Sequence, residues 1–239
     1  MSITPKSTLS PKRRETRARK TRLIVQAALA LVEQGLEGLT IQRLAKELGW
    51  ATGALYRYFP SKDALLGELQ RVVIRQYGED LATILADSRA SELSDLGRIY
   101  VAGRHYQHWF LQRRGAFVLV AGVLGDPRHL LPDAEGLQVM EEVVRVLSQL
   151  RALFEQCSAT GRLRTGPAND RTLVFWSTAQ GTTQLHKLSR FAPEEIVPAR
   201  LLRTSVQALL LGWGADAITL SMEMQQADQW LKESLECSH

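Results

Sequence analysis

The chain has 239 residues, enough for one or two domains with a buried core. With 45% hydrophobic and 23% charged residues it is excluded from the disordered class. Strongly apolar runs such as Val206 to Trp213 fall far short of the roughly 20 residues that span a bilayer, so a cytoplasmic protein with no membrane partner is expected. The net charge of +5 is unevenly spread: residues 1–62 hold twelve Lys/Arg against four Asp/Glu, a net +8, whereas the rest hold eighteen against twenty-one, a net −3. A basic head on a mildly acidic body is the footprint of a surface that displaces counterions from phosphates, with a merely solvated basic face as the plainer alternative. Cys157 and Cys237 lie 80 positions apart with no CxxC or Cys/His spacing, which argues against a disulfide framework and a zinc site.

In chain order, residues 1–16 combine two prolines, six Ser/Thr and Lys12, Arg13 and Arg14 without apolar periodicity, and read as a flexible basic arm. From Arg17 a helix is predicted by Ile24, Ala27, Ala28, Leu31 and Val32, ending at Gly35. Thr40 offers an N-cap for a short second helix with Ile41, Leu44, Ala45 and Leu48 on one stripe, closed by Gly49. A third helix is predicted over about Ala51 to Phe59 and must stop at Pro60. Ser61 can cap the next, near Asp63. Beyond it helical periodicity continues over about 63–87, 93–113, 115–125, 134–160, 168–190 and 199–234, with breaks at Pro127, Pro132, Gly161, Gly166-Pro167 and Pro193 to Pro198; the last span reads as two helices meeting around Gly212-Trp213-Gly214. The fold class is therefore all-α.

Two short helices joined by a glycine turn inside a basic segment fit a helix-turn-helix, whose second helix enters the major groove. Short helices of this kind are held by packing, here on helix one through Leu44, Leu48, Leu55 and Phe59. The opposite face presents Trp50, Ala51, Thr52, Gly53, Tyr56 and Arg57, with Thr40, Gln42 and Arg43 before them and Lys62 after. Thr, Tyr, Arg and Lys groups suit phosphate oxygens, whereas Thr52, Gly53 and Gln42 are placed for base edges. Trp50 either meets a thymine methyl or sugar, or packs over the helix junction.

Residues Leu39-Thr-Ile-Gln-Arg-Leu-Ala-Lys-Glu-Leu-Gly49 and Gly53-Ala-Leu-Tyr-Arg-Tyr-Phe-Pro-Ser-Lys-Asp-Ala-Leu65 resemble the TetR family of bacterial regulators. The resemblance runs from about Lys20 to Leu66, with Gly35, Thr40, Ala45, Gly49, Leu55, Tyr56, Phe59 and Lys62 at the family's pattern positions. It implies phosphate contacts from Thr40, Tyr56 and Lys62, and a recognition helix over about Ala51 to Phe59 in each half of a homodimer. It also implies a repressor that leaves double-stranded operator DNA when a small-molecule effector binds the larger C-terminal body. One departure is Trp50-Ala51, where the family commonly has a small aliphatic residue followed by Ser or Thr; either Thr52 caps the helix or its start is uncapped. The expected organisation is an arm over 1–16, a three-helix DNA-binding domain over 17–62 and a ligand-binding and dimerisation domain over 63–239.

Within the body, Tyr100, Arg104, His105, Trp109 and Phe117 interleave aromatic and polar groups, as do Trp176 and Gln180 further on, and these seven are the candidate ligand pocket; plain core is the alternative for the aromatics. His105 and His108 are i, i+3 neighbours, but no carboxylate or cysteine accompanies them at helical spacing, so no metal and no cofactor is expected. Gly181, Gln184, Leu202, Ser205, Val206, Leu209 and Trp213 are the candidate dimer interface, on two helices that would form a four-helix bundle with their symmetry mates; the alternative is that these helices are internal to one subunit. No GxSxG, HExxH or GxxxxGK[ST] motif occurs, and Gly212-Trp-Gly-Ala-Asp-Ala217 fits GxGxx[GA] only where a helical stretch is interrupted, so no enzyme is expected. The competing reading is a helical interaction protein without regulated DNA binding.

Overall fold

The computed structural model describes residues 10–125 and 131–236, the side chains of 123–125 and 234–236 excepted. Among the described residues all regular structure is helical: α1 (Pro11–Glu33), α2 (Ile41–Glu47), α3 (Thr52–Leu55), α4 (Lys62–Ala86), α5 (Ser88–Ser91), α6 (Asp95–Gln112), α7 (Arg114–Gly125), α8 (Asp133–Ala159), α9 (Ala168–Gln184), α10 (Pro198–Gly212) and α11 (Ala217–Glu236). Single 3-10 turns cover Leu36–Gly38 and Leu185–Leu188. The expected arm is corrected at its inner end, because α1 starts at Pro11 with proline at its first position, where the missing N–H costs nothing. Residues 1–9 of that arm, the break at Pro127 and Cys237 lie outside the described residues.

The head is a three-helix unit. Ile24, Val25, Ala28, Leu31 and Val32 of α1 meet Ile41, Leu44 and Ala45 of α2, Leu55 and Phe59, all buried. Leu65 and Leu69, on the first turns of α4, close this core from below and lead into the body.

In the body, α4 packs most extensively along α8, and α6 runs between them and the α9 and α10 pair. The buried acid Glu142 of α8 is held by Arg75 of α4, whose Nη2 donates to Oε1 at 2.8 Å, and by Arg145. Burial alone would raise this carboxyl; the Arg75 hydrogen bond and charge hold it below the usual range. Helix α11 folds back on α6, whereas α10 packs on both α6 and α9. The Gly212-Trp-Gly motif is the turn between α10 and α11, with Gly214 at φ +100° and no strand before it. Head and body touch beyond α4 as well: the Gly115 N–H at the start of α7 donates to Glu33 Oε2 at the end of α1, at 2.9 Å.

Candidate nucleic-acid interface

The interface follows from how α2 ends. Thr40 has extended backbone and its hydroxyl accepts the N–H of Arg43 at 3.1 Å, capping the helix. At the other end Gly49 sits at φ +66°, which lets its N–H reach the Lys46 carbonyl at 3.1 Å and the Trp50 N–H reach that of Ala45 at 2.9 Å. This paired closure reverses the chain within two residues. The chain then re-enters a helix at Thr52 behind Ala51, whose side chain makes no cap bond, so the helix start is uncapped.

The recognition segment is shorter than expected. Helix α3 is one turn, Thr52–Leu55, and continues as a turn in which the Leu55 carbonyl accepts the N–H groups of both Tyr58, at 2.8 Å, and Phe59, at 3.0 Å. Leu55 and Phe59 are buried, which turns Gly53, Tyr56 and Arg57 outward. Tyr56 is 48% exposed, unusual for a phenol ring that no protein neighbour covers. Thr40, Gln42 and Ala51 are exposed and Thr52 is half-buried; a Cβ placed on Gly53 would meet nothing within 4 Å. Ser61 caps α4 through the Ala64 N–H at 3.0 Å and leaves Lys62 exposed on its first turn.

Two expected contacts are otherwise engaged. Arg43 turns back along the head, donating to Gln34 Oε1 at 2.6 Å. Trp50 is half-buried, its ring 6.0 Å from that of Tyr58 and under the Lys20 ammonium at 5.6 Å; of the two readings for this indole, the structure displays packing over the junction. The inner part of the basic arm, expected to be flexible, is here the helical first half of α1. Its residues 11–19 are exposed, and the Arg17 guanidinium lies over Tyr58 at 5.4 Å while donating to the Arg57 carbonyl at 3.0 Å. Lys12, Arg13 and Arg17 thus flank the recognition turn on a rigid helix.

The body residues singled out for a ligand separate into groups. Tyr100 donates to Asp228 Oδ1 of α11 at 2.8 Å and Arg104 pairs with the same carboxylate at 3.0 Å, joined by Arg203 of α10; these two therefore face α10 and α11, away from the central cavity. His105 stacks on Tyr77 at 5.6 Å and Trp109 meets the same ring edge-on at 5.6 Å, while Phe117 abuts Phe110 at 5.9 Å. Trp176 and Gln180 stand at the central cavity of about 30 Å³, Trp176 in its wall and Gln180 accepting the hydroxyl of Tyr106. Around it are Ile74 and Tyr77 of α4, Tyr106 and Phe110 of α6, and Val143 and Leu150 of α8.

Among the predicted interface residues, Leu202 and Val206 are 0% exposed within one chain, and Trp213 packs edge-on against Phe154 at 5.5 Å. Leu202 and Val206 are intrachain core and are corrected, whereas Trp213 stays half-buried. Helix α10 spends this apolar side on α6 and α9. Gly181 is exposed, and Gln184, Ser205 and Leu209 are half-buried.

Residues 23–69 match the family described as "Bacterial regulatory proteins, tetR family". The HTH-type transcriptional repressor DrrR1 of Streptomyces coeruleorubidus is 34% identical over 90 residues, 37% of this chain and 33% of that one. The chain spans less than half the length of the curated relatives it matches first. Across nearly the whole chain the likeness is one of fold. A protein of unknown function from Rhodococcus sp. RHA1 superposes with a TM-score of 0.66 at 19% identity, covering 88% of this chain and 99% of that one. RolR bound to resorcinol superposes with a TM-score of 0.61 at 15% identity, covering 89% and 95%. The head over residues 23–69 thus matches the helix-turn-helix domain of the TetR family, and it is carried on a helical body that shares the fold of these solved structures.

Proposed function

We infer that the protein is a homodimeric repressor of a palindromic operator, released by a small uncharged molecule in the central cavity. The observation that carries the DNA half is the outward row Thr40, Gln42, Gly53, Tyr56 and Lys62 beside the basic start of α1. Thr40, Tyr56 and Lys62 are hydroxyl and ammonium donors for phosphates, and Thr52, Gly53 and Gln42 are placed for base edges. Two heads about 34 to 36 Å apart would read successive turns of one face of B-DNA.

The pairing surface is the outer side of α9 and α10. Leu173, Val174, Leu185 and Leu211 are 41%, 45%, 36% and 37% exposed there, with the small groups of Gly181, Ser205 and Ala208 between them and Gln184 and Leu209 at the edge. A self-complementary apolar face of this kind supports a twofold bundle.

Release follows from cavity size. About 30 Å³ holds one water, so a ligand of even one ring must spread α4 from α8. Helix α4 is continuous from Lys62 at the DNA end to Ile74 and Tyr77 in the cavity wall, about 18 Å along its axis, and it carries that displacement to the head. A molecule that binds the spread form better must weaken DNA binding by linkage. The wall offers aromatic and aliphatic surface, with the Gln180 amide behind it accepting the Tyr106 hydroxyl, and such a wall fits a neutral ligand. RolR, of the same fold, is bound to resorcinol.

The test is fluorescence anisotropy on DNA from upstream of the gene, with phenols titrated in. The reading requires affinity that drops steeply with salt, and a compound that raises Tm and lowers DNA affinity together. Salt-insensitive binding, or a stabilising ligand that leaves affinity unchanged, would sink it.

A further inference from the structure

On the side of α6 facing α10 and α11 lies a second, open cleft of about 190 Å³. Four polar side chains of α6, Arg104, His105, Gln107 and His108, line it together with the apolar Leu111 and with Leu231 of α11. The Tyr77 ring, stacked on His105 at 5.6 Å, forms part of the central cavity's wall. We propose that this cleft is a second small-molecule site, for a compact one-ring monocarboxylate.

Three observations support that chemistry. First, Gln107 is only 3% exposed, and its Nε2 has no hydrogen-bond partner, as is also true of His105 Nε2. Buried donors left unpaired are disfavoured unless a ligand satisfies them. Second, the local charge is positive: Arg104 and Arg203 share the single carboxylate of Asp228, leaving one net positive charge at the cleft's rim. Arg104 uses Nη1 for Asp228 and Tyr100, and a guanidinium has further donors in its fork. Burial pushes the His105 imidazole down to about 4, so near neutral pH it contributes a hydrogen bond and no charge. Third, the volume lies below the roughly 300 to 1,000 Å³ of pockets for drug-sized ligands, and Leu111 and Leu231 give a ring an apolar floor. A carboxylate between Gln107 and Arg104, with its ring on the leucines, satisfies all three.

The probe is benzoate, titrated calorimetrically into the full chain, with benzamide as the neutral isostere. The readout needs no operator, so it stands apart from the repression reading. Benzoate is expected to bind, benzamide about tenfold more weakly, and Gln107→Leu and Arg104→Gln each to weaken benzoate by about tenfold or more. Gln107→Leu removes an orphaned donor and should keep the wild-type Tm, so it carries the test even if Arg104→Gln fails to fold. Trp176→Leu, in the central cavity, should leave benzoate affinity unchanged within about twofold, on the additivity of separate sites. Absence of binding at millimolar benzoate, indifference to Gln107→Leu, or loss on Trp176→Leu instead would each overturn the proposal.

Discussion

His105 should make the fold acid-sensitive over a defined window. Its imidazole is pushed from the ordinary 6.5 down to about 4, chiefly by burial; Asp80 pulls the other way, and the charges of His108 and Arg113 add smaller downward pushes. Above pH 6.5 the ring is neutral in both folded and unfolded chains, and it contributes no slope. Between 6.5 and 4 the unfolded chain binds a proton that the folded one refuses, so stability falls as pH drops; below 4 both are charged and the slope ends. The full difference is worth about 3 kcal/mol, of which about 2 kcal/mol is lost by pH 5, a sizeable part of the roughly 5 to 15 kcal/mol that holds a domain together. His105→Phe keeps a flat ring against Tyr77 and cannot titrate. Urea unfolding at pH 7, 6 and 5, at one protein concentration, is expected to give near-equal stabilities at pH 7 and a variant more stable by about 2 kcal/mol at pH 5. Parallel losses in the two proteins would refute the assignment of the acid sensitivity to this ring.

At the DNA surface, Lys62→Ala and Tyr56→Phe should weaken binding to every sequence, Lys62→Ala reducing the salt slope by about one, whereas Thr52→Val should shift the preferred sequence in a selection from random DNA. Thr40→Ala removes the cap on Arg43 N and should cost about 1 kcal/mol in urea unfolding, with Thr40→Ser restoring it. Val174→Glu on the open face of α9 should yield folded monomers by analytical ultracentrifugation, while Val206→Glu, at 0% exposure, should unfold the chain. A Cβ on Gly78 would lie 2.7 Å from Val146 Cγ2, so Gly78→Ala should wedge α4 from α8, costing about 1 to 3 kcal/mol, and lower operator affinity with no ligand present. Unchanged anisotropy in that variant would count against the spreading mechanism.

Apolar stripes and stop residues located nearly every long helix, because those stripes are what each helix buries. What they missed has physical causes. Residues 11–16 are exposed and bury no apolar side chain, so no periodicity marks them, and only Pro11 and a run of good helix formers betray the start of α1. Helix α5 is too short for a stripe and rests on the Asp87 side chain accepting the Arg89 N–H at 2.8 Å. The segment after Ala51 reads as a nine-residue helix, yet with no cap and Pro60 close behind it holds one turn and a tighter bend. Tyr100 looked like a pocket residue because its partner Asp228 stands 128 positions later. Leu202 and Val206 share a helix with exposed apolar neighbours, and sequence alone does not say which side a subunit keeps for itself.

The bond from the Gly115 N–H to Glu33 bears on protein engineering. A Cβ on Gly115 would come within 2.8 Å of the Glu33 backbone nitrogen, so the two surfaces meet with no room for a methyl group. The head is thus no interchangeable cartridge. Grafting a related head onto this body at the start of α4 would bring a foreign α1 against Gly115, and a chimera would keep this head-to-body contact only if the α1 terminus and the first turn of α7 were exchanged as a matched pair.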